Sequence, residues 1–146
     1  MSKLGEKVRE RRAELSMNQQ ELAQKAGIAV RTIGGYESGT REPRAEQLYL
    51  LAKALGVSTE YLRNDAISDP DYGLDRMEYI EETRNRTDIR TAVDLDAMLQ
   101  ANLAMLAGGE VSFEAKQAYF EAIMDAFVDC KRTASEKFGS SGSKEQ

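Results

Sequence analysis

The chain has 146 residues and a formal net charge of −5, with one cysteine, Cys130, and no histidine. This composition excludes an internal disulfide, fits a reducing cytoplasm and offers neither a metal-ligand cluster nor a nucleophile with a base partner. We therefore expect no enzymatic activity, no metal and no cofactor.

The hydropathy pattern argues against a membrane protein. No apolar run approaches the roughly 18 residues that indicate a membrane-spanning helix. The first residues, MSKLGEKVRERRAEL, are charged throughout and lack the apolar stretch of a signal peptide. We expect a cytoplasmic protein that makes no contact with a membrane.

Residues 17–39 predict two short helices joined by a tight turn. Asn18 and Glu21 have the spacing of a capping box at the start of the first helix, and Gly27 suits the turn. Helical spacing places Ile33 and Tyr36 of the second helix inward. This pattern is typical of a helix-turn-helix, whose second helix lies in the DNA major groove.

The N-terminal 63 residues predict five short helices, near residues 3–15, 18–26, 29–37, 45–55 and 58–63. No strand-like alternation of useful length occurs anywhere, so the expected fold is all-α. Four segments follow one another in this region: KVRERRAEL, MNQQELAQKAGI, VRTIGGYESGTREP and LYLLAKALGVSTEYL. In order and spacing they resemble the phage-repressor-like helix-turn-helix family (the Cro/C1 or xenobiotic-response-element type) over about residues 3–63.

That resemblance implies a five-helix domain that binds double-stranded DNA. It also implies that Gln19, at a helix N-terminus suited to a phosphate, braces the DNA backbone. Arg41 and Arg44, in the loop after the second helix of the motif, are placed for a neighbouring phosphate, and Asn18 can join them. Such contacts set position and affinity but do not select sequence.

Base readout should fall to residues near the start of the second helix, namely Val30, Arg31, Thr32, Gly34 and Gly35. Arg31 is the principal candidate, because a guanidinium can donate two parallel hydrogen bonds to guanine. Thr32 could contact a thymine methyl or a phosphate, and Val30 a thymine methyl. The two glycines depart from the polar residues usual in this family. They indicate either close approach of the backbone to DNA or a reader of low specificity.

Arg12 and Glu37 have a structural interpretation. They occupy positions at which the resemblance implies an ion pair between the first helix and the end of the DNA-reading helix. Such a pair fixes orientation more than it adds net stability. We expect Arg12 to support the fold and not to contact DNA.

Charge divides the chain into two unlike halves. Residues 1–63 contain eleven Lys and Arg against eight Asp and Glu, whereas residues 64–146 contain nine against seventeen. Binding to phosphates requires positive charge on one face only, so the acidic half should serve another task. We predict a DNA-binding domain over 1–63, a linker over 64–75 around Pro70, a helical oligomerisation or partner-binding region over 76–138, and a flexible tail over 139–146.

The acidic half predicts a helical hairpin. One helix should span 89–106 after a cap at Asp88, and a second should follow Ser112. The hairpin carries more apolar surface than it can bury alone, which favours self-association. The residues expected at a dimer interface are Leu99, Leu103, Leu106, Phe113, Phe120, Ile123, Met124 and Phe127.

The segment LAGGEVSFEAKQAYFEAIMDAFVDCK also resembles the C-terminal segment of repressors from Gram-positive phages and mobile elements. This likeness implies dimerisation or response to a protein partner, such as an antirepressor. The expected function is a dimeric repressor on a palindromic operator. The alternative is an antitoxin-like interaction protein, whose acidic half binds a partner while DNA binding serves autoregulation.

Overall fold

The structure of the protein, a computed structural model, describes residues 3–106 and 111–139, with side chains for 3–102 and 111–137. Every regular element in these ranges is helical, which confirms the predicted all-α fold. The expected flexible tail, 139–146, lies outside the described residues except for residue 139. No helix within the described ranges combines the length and apolarity needed to cross a membrane.

The chain divides into two compact units, Met1–Leu74 and Asp75–Gln146. The first contains five helices, each within one residue of its predicted bounds. They are α1 (Lys3–Glu14), α2 (Gln19–Ala26), α3 (Val30–Ser38), α4 (Ala45–Leu55) and α5 (Thr59–Arg63).

The first unit has one apolar core to which all five helices contribute. The apolar residues with no exposed surface are Val8, Leu22, Ile33, Leu51, Ala52, Leu55 and Leu62. Burying one such side chain stabilises the fold by about 1.5–3 kcal/mol. The core therefore fixes α3 against the other helices of the unit.

Local signals set the ends of α2 and the start of α3. The backbone N–H of Glu21 donates to Asn18 Oδ1 at 2.8 Å, and that of Asn18 donates to Glu21 Oε1 at 3.2 Å, so the predicted capping box is confirmed. Gly27 ends α2 with a φ of 71°, a left-handed conformation that glycine adopts without steric cost. Ala29 precedes α3 in extended conformation and provides no side-chain cap.

The segment after α5, predicted as a linker, is bound to the first unit. The ammonium of Lys7 donates to three backbone carbonyls, those of Tyr61 at 2.6 Å, Asn64 at 2.9 Å and Ile67 at 2.7 Å. Further along, Ser58 Oγ donates to the carbonyl of Tyr72 at 2.7 Å. These bonds extend the unit beyond the predicted domain end at residue 63.

The second unit contains one helix more than the predicted hairpin. Its described elements are α6 (Leu74–Arg86), α7 (Ile89–Leu106), α8 (Phe113–Ala134) and a π-helical turn (Ser135–Gly139). The sequence did not predict α6, because its buried positions are Arg76, Ile80 and Thr83. A buried face with one aliphatic residue gives no apolar periodicity to detect.

The predicted dimerisation residues are largely used within one chain. The core of the second unit is formed by Leu95, Leu99, Phe120, Met124 and Val128, with Ile123 and Phe127 half-buried beside it. The unpredicted α6 covers part of this face, since Tyr79 packs on Phe120 with ring centroids 5.7 Å apart. Leu99, Phe120 and Met124 thus have no free surface for a partner, which corrects the expected interface. Phe113 is 66% exposed, and the side chains of Leu103 and Leu106 lie outside those described.

Asp88 joins the start of α7 to α8. Its Oδ1 accepts from the N–H of Thr91 at 2.7 Å, and its Oδ2 lies 3.0 Å from Lys131 Nζ. Hydrogen bonds from Thr91 and then from Lys131 lower the pKa of Asp88 to about 2. Because this pKa is below that of the unfolded chain, the stabilisation is present above about pH 4. It is lost as the pH falls towards 2.

Asp88→Ala should therefore lower the free energy of unfolding by about 0.5–2 kcal/mol at pH 7. Asp88→Asn should lower it by less, since an amide oxygen still accepts from the Thr91 N–H but carries no charge for Lys131. Thermal unfolding followed by circular dichroism gives both values. The difference between wild type and Asp88→Asn should shrink as the pH falls and vanish below about pH 2. An Asp88→Ala variant as stable as wild type at pH 7 would contradict this role.

Candidate nucleic-acid interface

Helix α3 turns one face to the core and keeps the other exposed. Ile33, Tyr36 and Glu37 are buried. The five residues predicted to read bases all retain exposed surface, with Val30 and Arg31 exposed and Thr32, Gly34 and Gly35 half-buried. The exposed face lies at the start of the helix, where a major-groove reader presents its side chains.

A bidentate ion pair fixes the C-terminal end of α3 to α1. Arg12 Nε donates to Glu37 Oε2 at 3.0 Å, and Arg12 Nη2 donates to Glu37 Oε1 at 2.9 Å. The same guanidinium donates through Nη1 to the carbonyl of Met17 at 3.0 Å. Arg9 Nε lies 3.7 Å from Glu37 Oε1. The pair predicted from the sequence thus lies away from the exposed face, at a carboxylate that is only 2% exposed.

Gly5 lets the backbones of α1 and α3 touch. A Cβ at this position would lie 2.4 Å from the carbonyl oxygen of Glu37 and 2.8 Å from that of Tyr36. Sequence reasoning overlooked this residue. The sequence indicates its position through the spacing of Gly5, Val8 and Arg12, which recur at steps of three and four and so share one helix face.

A groove of about 580 Å³ lies between the start of α3 and α4. It brings the predicted phosphate ligands Arg41 and Arg44 together with Thr32 of the reading face. Arg44 is the N-cap of α4 but makes no side-chain cap bond. The groove therefore combines two guanidinium groups with a helix N-terminus, which favours an anion, although Glu42 also lines it. Burial raises the pKa of the Tyr36 phenol in this groove, and the charge of Arg41 partly offsets the rise.

A second groove, of about 490 Å³, flanks α3 on the side of α2. It is lined by Asn18 at the start of α2 and by Val30 at the start of α3. The Oδ1 of Asn18 serves the cap of α2. Gln19 lies close by, with its Oε1 4.0 Å from the place of a Cβ at Gly34. The residues predicted to bind phosphate thus border the exposed face of α3 from both sides.

The described part of the chain holds no cluster of three or more His, Cys, Asp and Glu side chains placed to bind a metal ion. The exposed positions of this face are instead a guanidinium, a hydroxyl, an isopropyl group and two glycines. Such groups can donate to base edges and phosphates and contact thymine methyls.

Comparison with known proteins supports a helix-turn-helix in this unit. Residues 8–62 match the helix-turn-helix family model HTH_3. An uncharacterized transcriptional regulator in the ATPase CF(0) region of Rhodospirillum rubrum is 39% identical over 62 residues, which are 42% of this chain and 57% of the relative. The cryptic phage CTXphi transcriptional repressor RstR of Vibrio cholerae is 37% identical over 68 residues, 47% of this chain and 61% of the relative.

A further relative, repressor protein C2 of Salmonella phage P22, is 35% identical over 65 residues, 44% of this chain and 30% of the relative. The chain thus spans less than two thirds of the length of these relatives. No solved structure matches it. The predicted resemblance is confirmed for the part of the chain that carries its motifs, and residues 8–62 form a helix-turn-helix of the phage-repressor-like type.

Proposed function

We propose that this protein is a cytoplasmic, sequence-specific regulator of transcription that binds double-stranded DNA. The observation that carries the proposal is the exposed start of α3, with Arg31 facing outward beside the groove that holds Arg41 and Arg44. The opposite face of α3 is fixed to α1 through Glu37. The names of similar proteins, a transcriptional regulator and two repressors, support the same function.

In the proposed complex α3 enters the major groove. Arg31 donates two hydrogen bonds to O6 and N7 of a guanine, which contributes about 1–3 kcal/mol of discrimination against other bases. Val30, 42% exposed, contacts a thymine methyl, and Thr32 contacts a second methyl or a phosphate. The open space over Gly34 lets the helix backbone approach the bases closely.

Phosphates are bound on either side of α3. Arg41 and Arg44 bind one DNA strand from the larger groove, while Gln19 and Asn18 bind the other at the start of α2. These contacts position the helix and make affinity depend on salt. The negative charge of Glu42 opposes the two arginines and limits non-specific binding.

Arg44→Ala should make the salt dependence of DNA binding shallower. Removing one phosphate ligand reduces the slope of log affinity against log salt by about 1. The measurement is fluorescence anisotropy with a pool of duplexes of about 25 random base pairs, long enough for two half-sites one helical turn apart. Arg90→Ala is the matched control, because it removes the same charge from an exposed position in the second unit and should leave the slope unchanged. Equal slopes for wild type and Arg44→Ala would contradict the phosphate contact.

We further propose that the protein is a dimeric repressor. Two copies of α3 would enter successive major grooves about 34–36 Å apart on a palindromic operator. Three predicted dimerisation residues keep exposed surface for a partner, since Phe113 is exposed and Ile123 and Phe127 are half-buried. The relatives named as repressors favour repression over activation.

Light scattering tests the dimer. The full chain should have twice the molar mass of one 16.3 kDa chain, and Phe113→Ser should shift it towards the monomer while leaving the helical content unchanged. A monomeric wild type at all concentrations would contradict the dimer. It would favour the antitoxin-like alternative, in which the acidic second unit binds a different protein.

A further inference from the structure

The loop after α3 folds back onto Gly35. Gly39 takes a φ of 81° and reverses the chain, a conformation that few other residues adopt. The carbonyl oxygen of Gly35 then accepts from three groups, the N–H of Arg41 at 3.2 Å, Ser38 Oγ at 3.2 Å and Thr40 Oγ1 at 3.4 Å. The backbone of Arg41 is therefore held against the helix it follows.

The side chain of Arg41 lies next to the space that a side chain at position 35 would occupy. A Cβ at Gly35 would stand 3.3 Å from Arg41 Cβ, 3.1 Å from Cγ and 3.0 Å from Cδ. Three consecutive carbons of the stem thus lie within contact distance of the place that a Cβ at Gly35 would take. Gly34, the next residue back, faces open space apart from Gln19 Oε1 at 4.0 Å. The two adjacent glycines have different environments.

This arrangement brings the guanidinium of Arg41 to the reading face of α3. Arg41 Nη1 lies 3.5 Å from Thr32 Oγ1, a long contact that places the charge one residue from Arg31 along the helix. The stem packs on the helix while the residue as a whole stays exposed. A long side chain that is already ordered loses less conformational entropy when it binds.

We propose that Gly35 is a positioning residue that seats Arg41 on α3, so that Arg41 and Thr32 contact DNA as part of the reading face and not as an independent loop. The inference rests on the proposed DNA binding. It explains a glycine that weakens the helix locally, since a methyl group at this position would force the arginine stem to shift by a few tenths of an ångström.

A double-mutant cycle tests this coupling. Gly35→Ala, Arg41→Ala and the double variant are titrated as full chains with the pool of random-sequence duplexes, and each is also unfolded thermally. Arg41→Ala should weaken binding at least about fivefold. Gly35→Ala should produce a smaller loss through the same side chain, because it shifts the arginine stem without removing the guanidinium, and the double variant should bind no more weakly than Arg41→Ala alone. The melting temperature of Gly35→Ala should not fall, because alanine is the better helix former and the displaced stem is exposed.

Gly34→Ala is the matched control for the cycle. Its methyl group meets no part of Arg41, so any effect on binding should be the same with and without the arginine. The proposed role of Gly35 would be overturned if the binding losses of Gly35→Ala and Arg41→Ala added fully. It would also be overturned if Gly35→Ala bound DNA like wild type. If wild type shows no salt-dependent binding to the pool, the proposed DNA binding itself fails. If wild type binds but the losses add fully, only the proposed role of Gly35 fails.

Discussion

Replacing Glu37 with glutamine should lower the free energy of unfolding of the first unit by about 3–5 kcal/mol, which is the usual cost of breaking a buried ion pair. The carboxylate accepts from both Nε and Nη2 of Arg12. A glutamine removes its charge and leaves the guanidinium uncompensated. Since small domains are stable by only about 5–15 kcal/mol, the loss is a large fraction of the total. Urea unfolding followed by circular dichroism measures it.

Glu14→Gln is the matched control for this prediction. It also removes a carboxylate from an arginine pair involving α1, since Arg11 Nη1 lies 2.9 Å from Glu14 Oε2, but Glu14 is 58% exposed. An exposed pair contributes little, so the change should stay within about 0.5 kcal/mol. A double variant with methionine at positions 12 and 37 should recover much of the loss, because no buried charge is left unpaired. Equal effects of Glu37→Gln and Glu14→Gln would contradict the structural role of the pair.

Gly5→Ala should destabilise the first unit by about 1–3 kcal/mol, the usual cost of overpacking. The sign is opposite to intrinsic helix propensity, which favours alanine by about 1 kcal/mol. The new methyl group would meet two backbone oxygens, at 2.4 and 2.8 Å, and these cannot rotate away as a side chain can. The helices α1 and α3 would have to separate.

Gly34→Ala provides the contrast for Gly5→Ala. Its methyl group enters open space in a helix interior, so it should stabilise the unit by up to about 1 kcal/mol. Thermal unfolding of the two variants should therefore shift in opposite directions. A stabilising Gly5→Ala would show that α1 and α3 are not in backbone contact.

The first unit was predictable because its signals are local. The capping box of Asn18 and Glu21 depends on residues three apart, and Gly27 ends α2 by its own conformation. Apolar residues recur at helical spacing in α2, α3 and α4 and form most of the observed core. The exposed residues of α3 follow from the same periodicity, which is why the sequence alone predicts Arg31 as a base reader.

The unpredicted features depend on contacts between distant or irregular parts of the chain. The buried face of α6 includes Arg76 and Thr83, so hydrophobic periodicity gave no indication of the helix. Without α6, Phe120 would be free for a dimer partner, whereas Tyr79 covers it within one chain. The packing of the Arg41 side chain against Gly35 depends on the loop that reverses the chain between them, and residue types alone do not specify that loop.

Selection of DNA by the full chain tests the proposed function most directly. The protein is mixed with duplexes of about 25 random base pairs, bound DNA is recovered over several rounds, and the products are sequenced for wild type and Arg31→Ala. We expect wild type to enrich two inverted half-sites about 10 base pairs apart. Arg31→Ala should lose the preference for guanine at one position in each half-site. A recovered pool without an enriched sequence would contradict sequence-specific binding, and identical motifs for the two proteins would contradict base readout by Arg31.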